Sequence, residues 1–223
     1  KLFYREVCNV QKSWDKQLPH PLLSRWLSWN KSLPDHVAVP GSLVKNREQI
    51  TEIQLHAFGD ASGKGVSTAV YAVVHQPSGV SQGLVASKSR LAKQGLTIPR
   101  QELVSAHMST NLVHNVKEAL TGFPVTDVYG WLDSTVALHW VNGNGDYKQF
   151  VRNRVKKIQE KQYIQWRHVP TAANPAVEVQ LSNCQSFGGT DPHGYRSLRV
   201  GHRTLSPVLP EKANPKPRSC VKT

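Results

Sequence analysis

Cysteines and acidic residues are both scarce in this chain, and each shortage excludes something different. Cys8, Cys184 and Cys220 are the only cysteines in 223 residues, an odd number spread over the whole length. They form no C-x-x-C pair and no Cys/His cluster at zinc-ligand spacing, which argues against a disulfide framework and a structural zinc. Reduced thiols in an intracellular setting, cytoplasmic or nuclear, are the expectation. No run of about 18 apolar residues occurs, so no membrane span is expected. The opening KLFYREVCNV has neither an initiator Met nor a leader pattern, and it reads as a piece of a longer chain. Acids number 15 against 28 Lys and Arg, a formal charge of +13. Basic surface of that size draws polyanions, because phosphate binding releases condensed counterions. A basic protein without such a partner is the plain alternative.

With acids so few, their positions carry information. Asp60 closes the strand-like run LHAFGD, Glu102 opens the helix-like run IPRQELVSAHM, and Asp133 closes VYGWLD. Each follows or interrupts apolar residues, where an acid is costly unless paired or bound to a metal. Three on converging elements point to a divalent-cation site. Each also has an ordinary reading: Asp60 as a turn residue, Glu102 as an acid favoured at a helix start, Asp133 as an N-cap.

The chain divides by composition into three parts. Residues 1–50 contain one helix candidate, PLLSRWLSWNKSL, with Pro21 in its first turn and Leu22, Leu23, Trp26 and Leu27 on one face. Its tryptophans are expected to anchor this arm on the next domain. From residue 51 to 176, EIQLHAFGD, STAVYAVVH and GLVASKS read as three strands, followed by a long helix from Pro99 towards Leu120. VTDVYGWLD is a fourth strand, STVALHWV and YKQFVRNRVKKIQEK are helices, and YIQWRHV is a fifth strand. That order predicts an α/β domain, a mixed five-stranded sheet flanked by helices. Residues 177–223 are rich in Pro, Gly and basic residues without a helix or strand period, which predicts a disordered tail.

LHAFGDASGKGVSTAVYAV, SKSRLA, IPRQELVSAHM, WLDSTVALHWV and WRHVPTAANPA, in that order and spacing, resemble the ribonuclease H region of a Pao/BEL-type retrotransposon polyprotein. The likeness extends to the arm YREVCNVQKSWDKQLP, which is similar to the segment joining polymerase to nuclease. It implies a ribonuclease H-like fold and endonucleolytic cleavage of the RNA strand of RNA–DNA hybrids during reverse transcription. It also implies the reverse transcriptase portion of the same polyprotein as a partner. Asp60, Glu102 and Asp133 are then both catalytic residues and metal ligands. The cofactor implied is Mg²⁺, with Mn²⁺ as a substitute, and two ions are expected.

The chemistry agrees, since hydrolysis of a phosphodiester must stabilise charge on attacking and leaving oxygens, which two ions about 4 Å apart achieve. Hard cations take carboxylate oxygens. Ser62 and Gly63 would form a turn that lets backbone approach phosphate. Ser134 and Thr135 would touch sugar or phosphate, or else cap the following helix. Lys148, Arg152 and Lys156 would grip phosphates, or else form a solvated face.

One departure stands out. The family continues past N-P-A with an Asp and a helix, whereas here Asn174-Pro175-Ala176 is followed by Val177. A fourth carboxylate is therefore missing and the second ion is short of a ligand; Glu178 is displaced by one residue and points elsewhere. The aberrant ending reads as a frameshift or misread exon in a decaying element. The alternative function is a catalytically inactive nucleic-acid-binding remnant.

Overall fold

The computed structural model describes residues 2–10, 13, 15–36, 42, 44, 47–177 and 179. Two helices, α1 (Leu2–Val10) and α2 (His20–Lys31), precede an alternating domain. Its elements are β1 (Glu52–Ala61), β2 (Gly65–Gln76), β3 (Gly79–Leu91), α3 (Ile98–Ala119), β4 (Val125–Leu132), α4 (Thr135–Asn142), α5 (Gln149–Gln159) and β5 (Ile164–His168). The strands form one sheet in the order β3-β2-β1-β4-β5. β1 runs antiparallel to β2 and parallel to β4, β2 runs antiparallel to β3, and β4 runs parallel to β5. The expected mixed five-stranded sheet is thus present.

β1 is central and buried on both faces. Ile53, Leu55 and Ala57 turn towards Val113 and Val116 of α3, alongside Val70, Ala72 and Val128. A second cluster joins Leu103 and Ala106 of α3 to Leu132, Ala137, Val141, Val151, Val155 and Ile158, so α4 and α5 cover the same side of the sheet. The apolar stripe Val151, Val155 and Ile158 is the one that helical spacing predicts for α5. On the opposite side Phe58 and Trp131 pack with Val169 and Ala176.

Two glycines allow close packing where a side chain would not fit. A Cβ on Gly130 would sit 2.5 Å from the ring of Trp166, which bridges the two helix-side clusters. A Cβ on Gly59 would lie 2.8 Å from Ser105 Oγ and 3.0 Å from Ser109 Oγ on α3. Those hydroxyls are held in place: Ser105 Oγ donates to Glu102 O, and Ser109 Oγ, 2.7 Å from Thr68 Oγ1, donates to Phe58 O. Gly59 therefore sets how near α3 comes to β1, one residue before Asp60.

The arm differs from the expectation in two ways. Residues 2–10 are helical, with Phe3, Val7 and Val10 at i, i+4 and i+7, a helical spacing that the sequence already carries. Trp26 stacks on Phe3 of α1 at 5.9 Å and lies 5.0 Å from Trp29. Trp26 thus joins the arm's two helices, while Arg5 ties the arm to the domain, its Nη2 donating to Ala92 O at 2.7 Å. Arg25 pairs with Glu6 across the two helices at 2.8 Å. Past β5 the chain turns through a 3₁₀ segment, Thr171–Ala173, and Ala176 and Val177 are already helical rather than irregular. Glu178, Cys184, Cys220 and the remainder of the tail lie outside the described residues.

Replacing Gly59 by Ala should force α3 away from β1 and cost about 1–3 kcal/mol, the usual range for overpacking a filled site. Gly63→Ala, where a Cβ meets nothing within 4 Å, should leave stability unchanged. Urea denaturation of the two variants beside the parent chain checks both outcomes.

Candidate active site

Asp60 lies in β1, 7 % exposed, with Oδ2 buried and lacking a hydrogen-bond partner among the described residues. Burial pushes its carboxyl up to about 6, and Asp133 and, more weakly, Glu102 add to the effect, while the Ala61 N–H opposes it. Glu102 sits half-buried in the second turn of α3. Its pKa is also raised, by burial first and by Asp133, with a hydrogen bond from the Ser134 hydroxyl pulling the other way. Asp133 follows β4, the parallel neighbour of β1. Strand pairing and the Gly59 approach thus bring the three acids, distant in sequence, into one electrostatic neighbourhood.

They share a field but not a coordination point. Among the described residues no three His, Cys, Asp or Glu side chains are drawn together closely enough to hold an ion. Asp133 repels the Glu102 carboxylate, while the Ser134 hydroxyl favours it.

The other residues singled out from the sequence surround this neighbourhood at varying range. Ser62 and Gly63 form the β1–β2 turn just past Asp60, where Ser62 N donates to Gly65 O at 2.8 Å and Ser62 Oγ accepts from Lys64 N at 3.2 Å. Ser134 is the N-cap of α4, its Oγ accepting from Ala137 N at 3.2 Å, and it is also the donor to Glu102. Ser134 thus takes the helix-capping role expected for it. Thr135 is exposed in the first turn of α4. Lys148, Arg152 and Lys156 are exposed along one side of α5.

Sequence reasoning missed two further features. Asn174 is buried beneath β1: its Nδ2 donates to Gly59 O at 3.0 Å and its Oδ1 accepts from Ala176 N at 3.1 Å. Ser67, the strand partner of Asp60, donates its hydroxyl to Ala176 O at 2.8 Å. The N-P-A turn is thereby fixed beside Asp60, a role that the tendency of buried amides to be fully paired would have suggested. His56, on the same face of β1 as Asp60, is the second feature. It stacks between Tyr129 and Trp131 and accepts from Trp131 Nε1 at Nδ1, 3.1 Å away. Burial, helped by Arg167, lowers its pKa to about 4, so it stays neutral at ordinary pH.

The carboxyl of Asp60 binds its proton more tightly folded, at about 6, than at its ordinary value of 3.8. Stability is thus fully present below about pH 4 and is lost as pH rises towards 6, by an amount on the order of 2–3 kcal/mol. Asp60→Asn should therefore stabilise the metal-free protein at pH 7.5 and lose that advantage near pH 4. Thermal melts at the two pH values measure it.

Comparison with known proteins places this arrangement in a family. The family model described as a Pao retrotransposon-like RNaseH-like domain matches residues 1–134. No curated protein matches. Similar solved structures include RNase H1 from the halophilic archaeon Halobacterium salinarum, at 19% identity over 57% of this chain and 92% of that one, with a TM-score of 0.38. The N-terminal RNase H domain of a Mycobacterium tuberculosis protein, solved as a maltose-binding-protein fusion, matches at 17% identity over 60% and 97%, with a TM-score of 0.40. The foamy viral protease-reverse transcriptase in complex with an RNA/DNA hybrid matches at 14% identity over 80% of this chain and 27% of that one, with a TM-score of 0.30. These likenesses are too distant to bear on chemistry, but the family model spans more than half of the chain. The chain belongs to the Pao retrotransposon-like RNaseH-like domain family.

Proposed function

We propose that this domain hydrolyses the RNA strand of RNA–DNA hybrids during reverse transcription of a Pao/BEL-type element, using divalent cations held by Asp60, Glu102 and Asp133. The observation that carries the reading is a buried carboxylate, Asp60, with an unpartnered oxygen and two further acids in its field. Such an arrangement is costly by itself and is offset by a hard cation. The orphaned Asp60 oxygen and the two acids in its field suit Mg²⁺, or Mn²⁺ in its place, provided the three carboxylates draw together around it. When bound, the cations lower the pKa of an attacking water and offset charge on the departing 3′ oxygen.

The chain's own residues do the rest. Asp60 holds a buried, unpartnered oxygen near the C-terminal end of the central strand β1. Glu102 enters from α3 at a distance set by Gly59, and Ser134 orients its carboxylate. Asn174 and Ser67 fix the chain at Ala176 beside Asp60, so residue 177 starts where the resemblance expects a fourth carboxylate. Val177 supplies none there, so the second ion is held weakly and turnover is low. The remaining parts of the polyprotein, a reverse transcriptase above all, are the partners this reading implies.

The test is cleavage of an end-labelled RNA–DNA hybrid with Mg²⁺ or Mn²⁺, beside Asp133→Asn. Cutting should fall by at least about 100-fold in the variant, more than a neighbouring shell residue usually costs. Mg²⁺ should also raise the melting temperature of the parent chain, and raise that of Asp133→Asn less. Hybrid binding without cutting in either protein, and no thermal response to cations, would replace the nuclease by a binding remnant.

A further inference from the structure

Helix α5 carries a second cationic stripe, distinct from Lys148, Arg152 and Lys156. Phe150, Arg154, Lys157 and, just past the helix end, Lys161 recur at i, i+4, i+7 and i+11, which places them on one side. On α3, Arg100, His107, Asn111 and His114 recur at i, i+7, i+11 and i+14, away from the sheet-facing Ala106 and Val113. The two stripes meet along the seam between the helices. The Arg154 guanidinium lies 3.7 Å from the centroid of the Phe150 ring, and Arg100 approaches the same ring from α3 at 5.4 Å. Arg154 Nη1 donates to Phe150 O at 3.1 Å, and Lys161 Nζ donates to His114 Nε2 at 3.1 Å. Asn111 Nδ2 lies 3.4 Å from His107 Nε2.

The charge along this seam is unbalanced. Arg154 and Lys157 from α5 and Arg90 from β3 all act on His107, and Glu160 is the one acid that acts against them. Among the described residues no ion pair involves Arg90, Arg100, Arg154 or Lys157, so these four have no carboxylate partner there. Arg154 is half-buried as well. A half-buried guanidinium without a counter-charge carries a desolvation cost, which the Phe150 carbonyl and stacking on the Phe150 ring offset in part. What the stacking does achieve is to hold two guanidiniums in fixed places, so that little side-chain entropy is lost when an anion arrives.

We propose that the α3–α5 seam is a track for a nucleic-acid backbone, with Arg100, Arg154, Lys157 and Arg90 gripping phosphates along α3. From Arg100 to His114 the helix rises about 20 Å, enough for roughly six phosphates of one duplex strand. The inference rests on the hybrid-binding reading above and specifies the side of α5 that the substrate crosses. Lys148, Arg152 and Lys156 point to another side and are freely solvated, so ordering them on a strand loses more entropy for the same charge.

The 223-residue chain with Arg154→Gln and Lys157→Gln is compared with the same chain carrying Arg152→Gln and Lys156→Gln. The readout is equilibrium binding of a hybrid made uncleavable by 2′-O-methyl RNA, measured over a range of salt. The seam variant should bind roughly tenfold more weakly and lower the salt slope by about 2, one for each phosphate no longer neutralised. The outer-stripe variant should bind within about threefold of the parent, as a solvated face does. Lys157→Gln alone, at an exposed position, should shift the slope by about 1 even if the double variant folds poorly. A seam variant that binds like the parent, while the parent still cuts hybrid and Asp133→Asn does not, overturns the seam and leaves the nuclease reading intact. A parent chain that binds no hybrid at any salt overturns both.

Discussion

A carboxylate buried without a counter-charge is the constraint around which the rest of this domain is arranged. Asp60 stands near the C-terminal end of the central strand β1, where it is still buried, and its Oδ2 meets no donor among the described residues. Nearby structure worsens its situation. Gly59 removes the side chain that would keep α3 at a distance, and α3 carries Glu102. β4, held parallel to β1, leads directly into Asp133. A fold under selection for stability alone would place an apolar residue or a basic partner at one of these positions. Placing acids at all three lowers the stability of the fold, a cost that the cation affinity proposed above would explain, as a compromise of the kind common at functional sites.

The sheet and the covering helices are legible in the sequence because their signals are local and repeated. Apolar runs in β1 and β2, Pro99 ahead of a 22-residue helix, and Val151, Val155 and Ile158 at helical spacing each specify an element without help from the others. The three acids are legible because each interrupts such a run. What escapes is whatever depends on which elements lie side by side. Nothing within DSTVALHWV or IPRQEL says that the hydroxyl of Ser134 will face Glu102; that follows from β4 lying next to β1. Anchoring the tryptophans of α2 on the domain is the natural expectation as long as α2 is the only helix of the arm. With Phe3 on a helix of its own, Trp26 has a nearer ring to stack on.

The two sides of α5 show the same limit for charge. The number of Lys and Arg over residues 148–161 identifies a basic helix but cannot rank its faces. Lys148, Arg152 and Lys156 are the natural choice by spacing, at i, i+4 and i+8. The ranking changes when Phe150 and α3 are in view, because Arg154 and Arg100 are fixed against a common ring while the outer residues remain solvated. Positive charge that is positioned in advance discriminates a polyanion from solvent ions better than the same charge on a freely rotating side chain.

The end of the domain is where the resemblance and the structure bear on each other most closely. Asn174 uses both ends of its amide to hold the N-P-A turn under β1, and Ser67 ties Ala176 to the strand position opposite Asp60. That anchoring is elaborate for a turn that delivers only Val177. Each bond is buried and would be costly to leave half-made, so the turn persists whatever residue follows it. On the proposed reading, Val177 in place of a carboxylate is therefore a chemical difference and not a structural one: the backbone still arrives beside Asp60, and the helical geometry at Ala176 and Val177 has already begun. A domain built this way keeps its fold whatever follows Ala176, so on the nuclease reading proposed above a change at position 177 should alter cleavage and leave the melting temperature where it is.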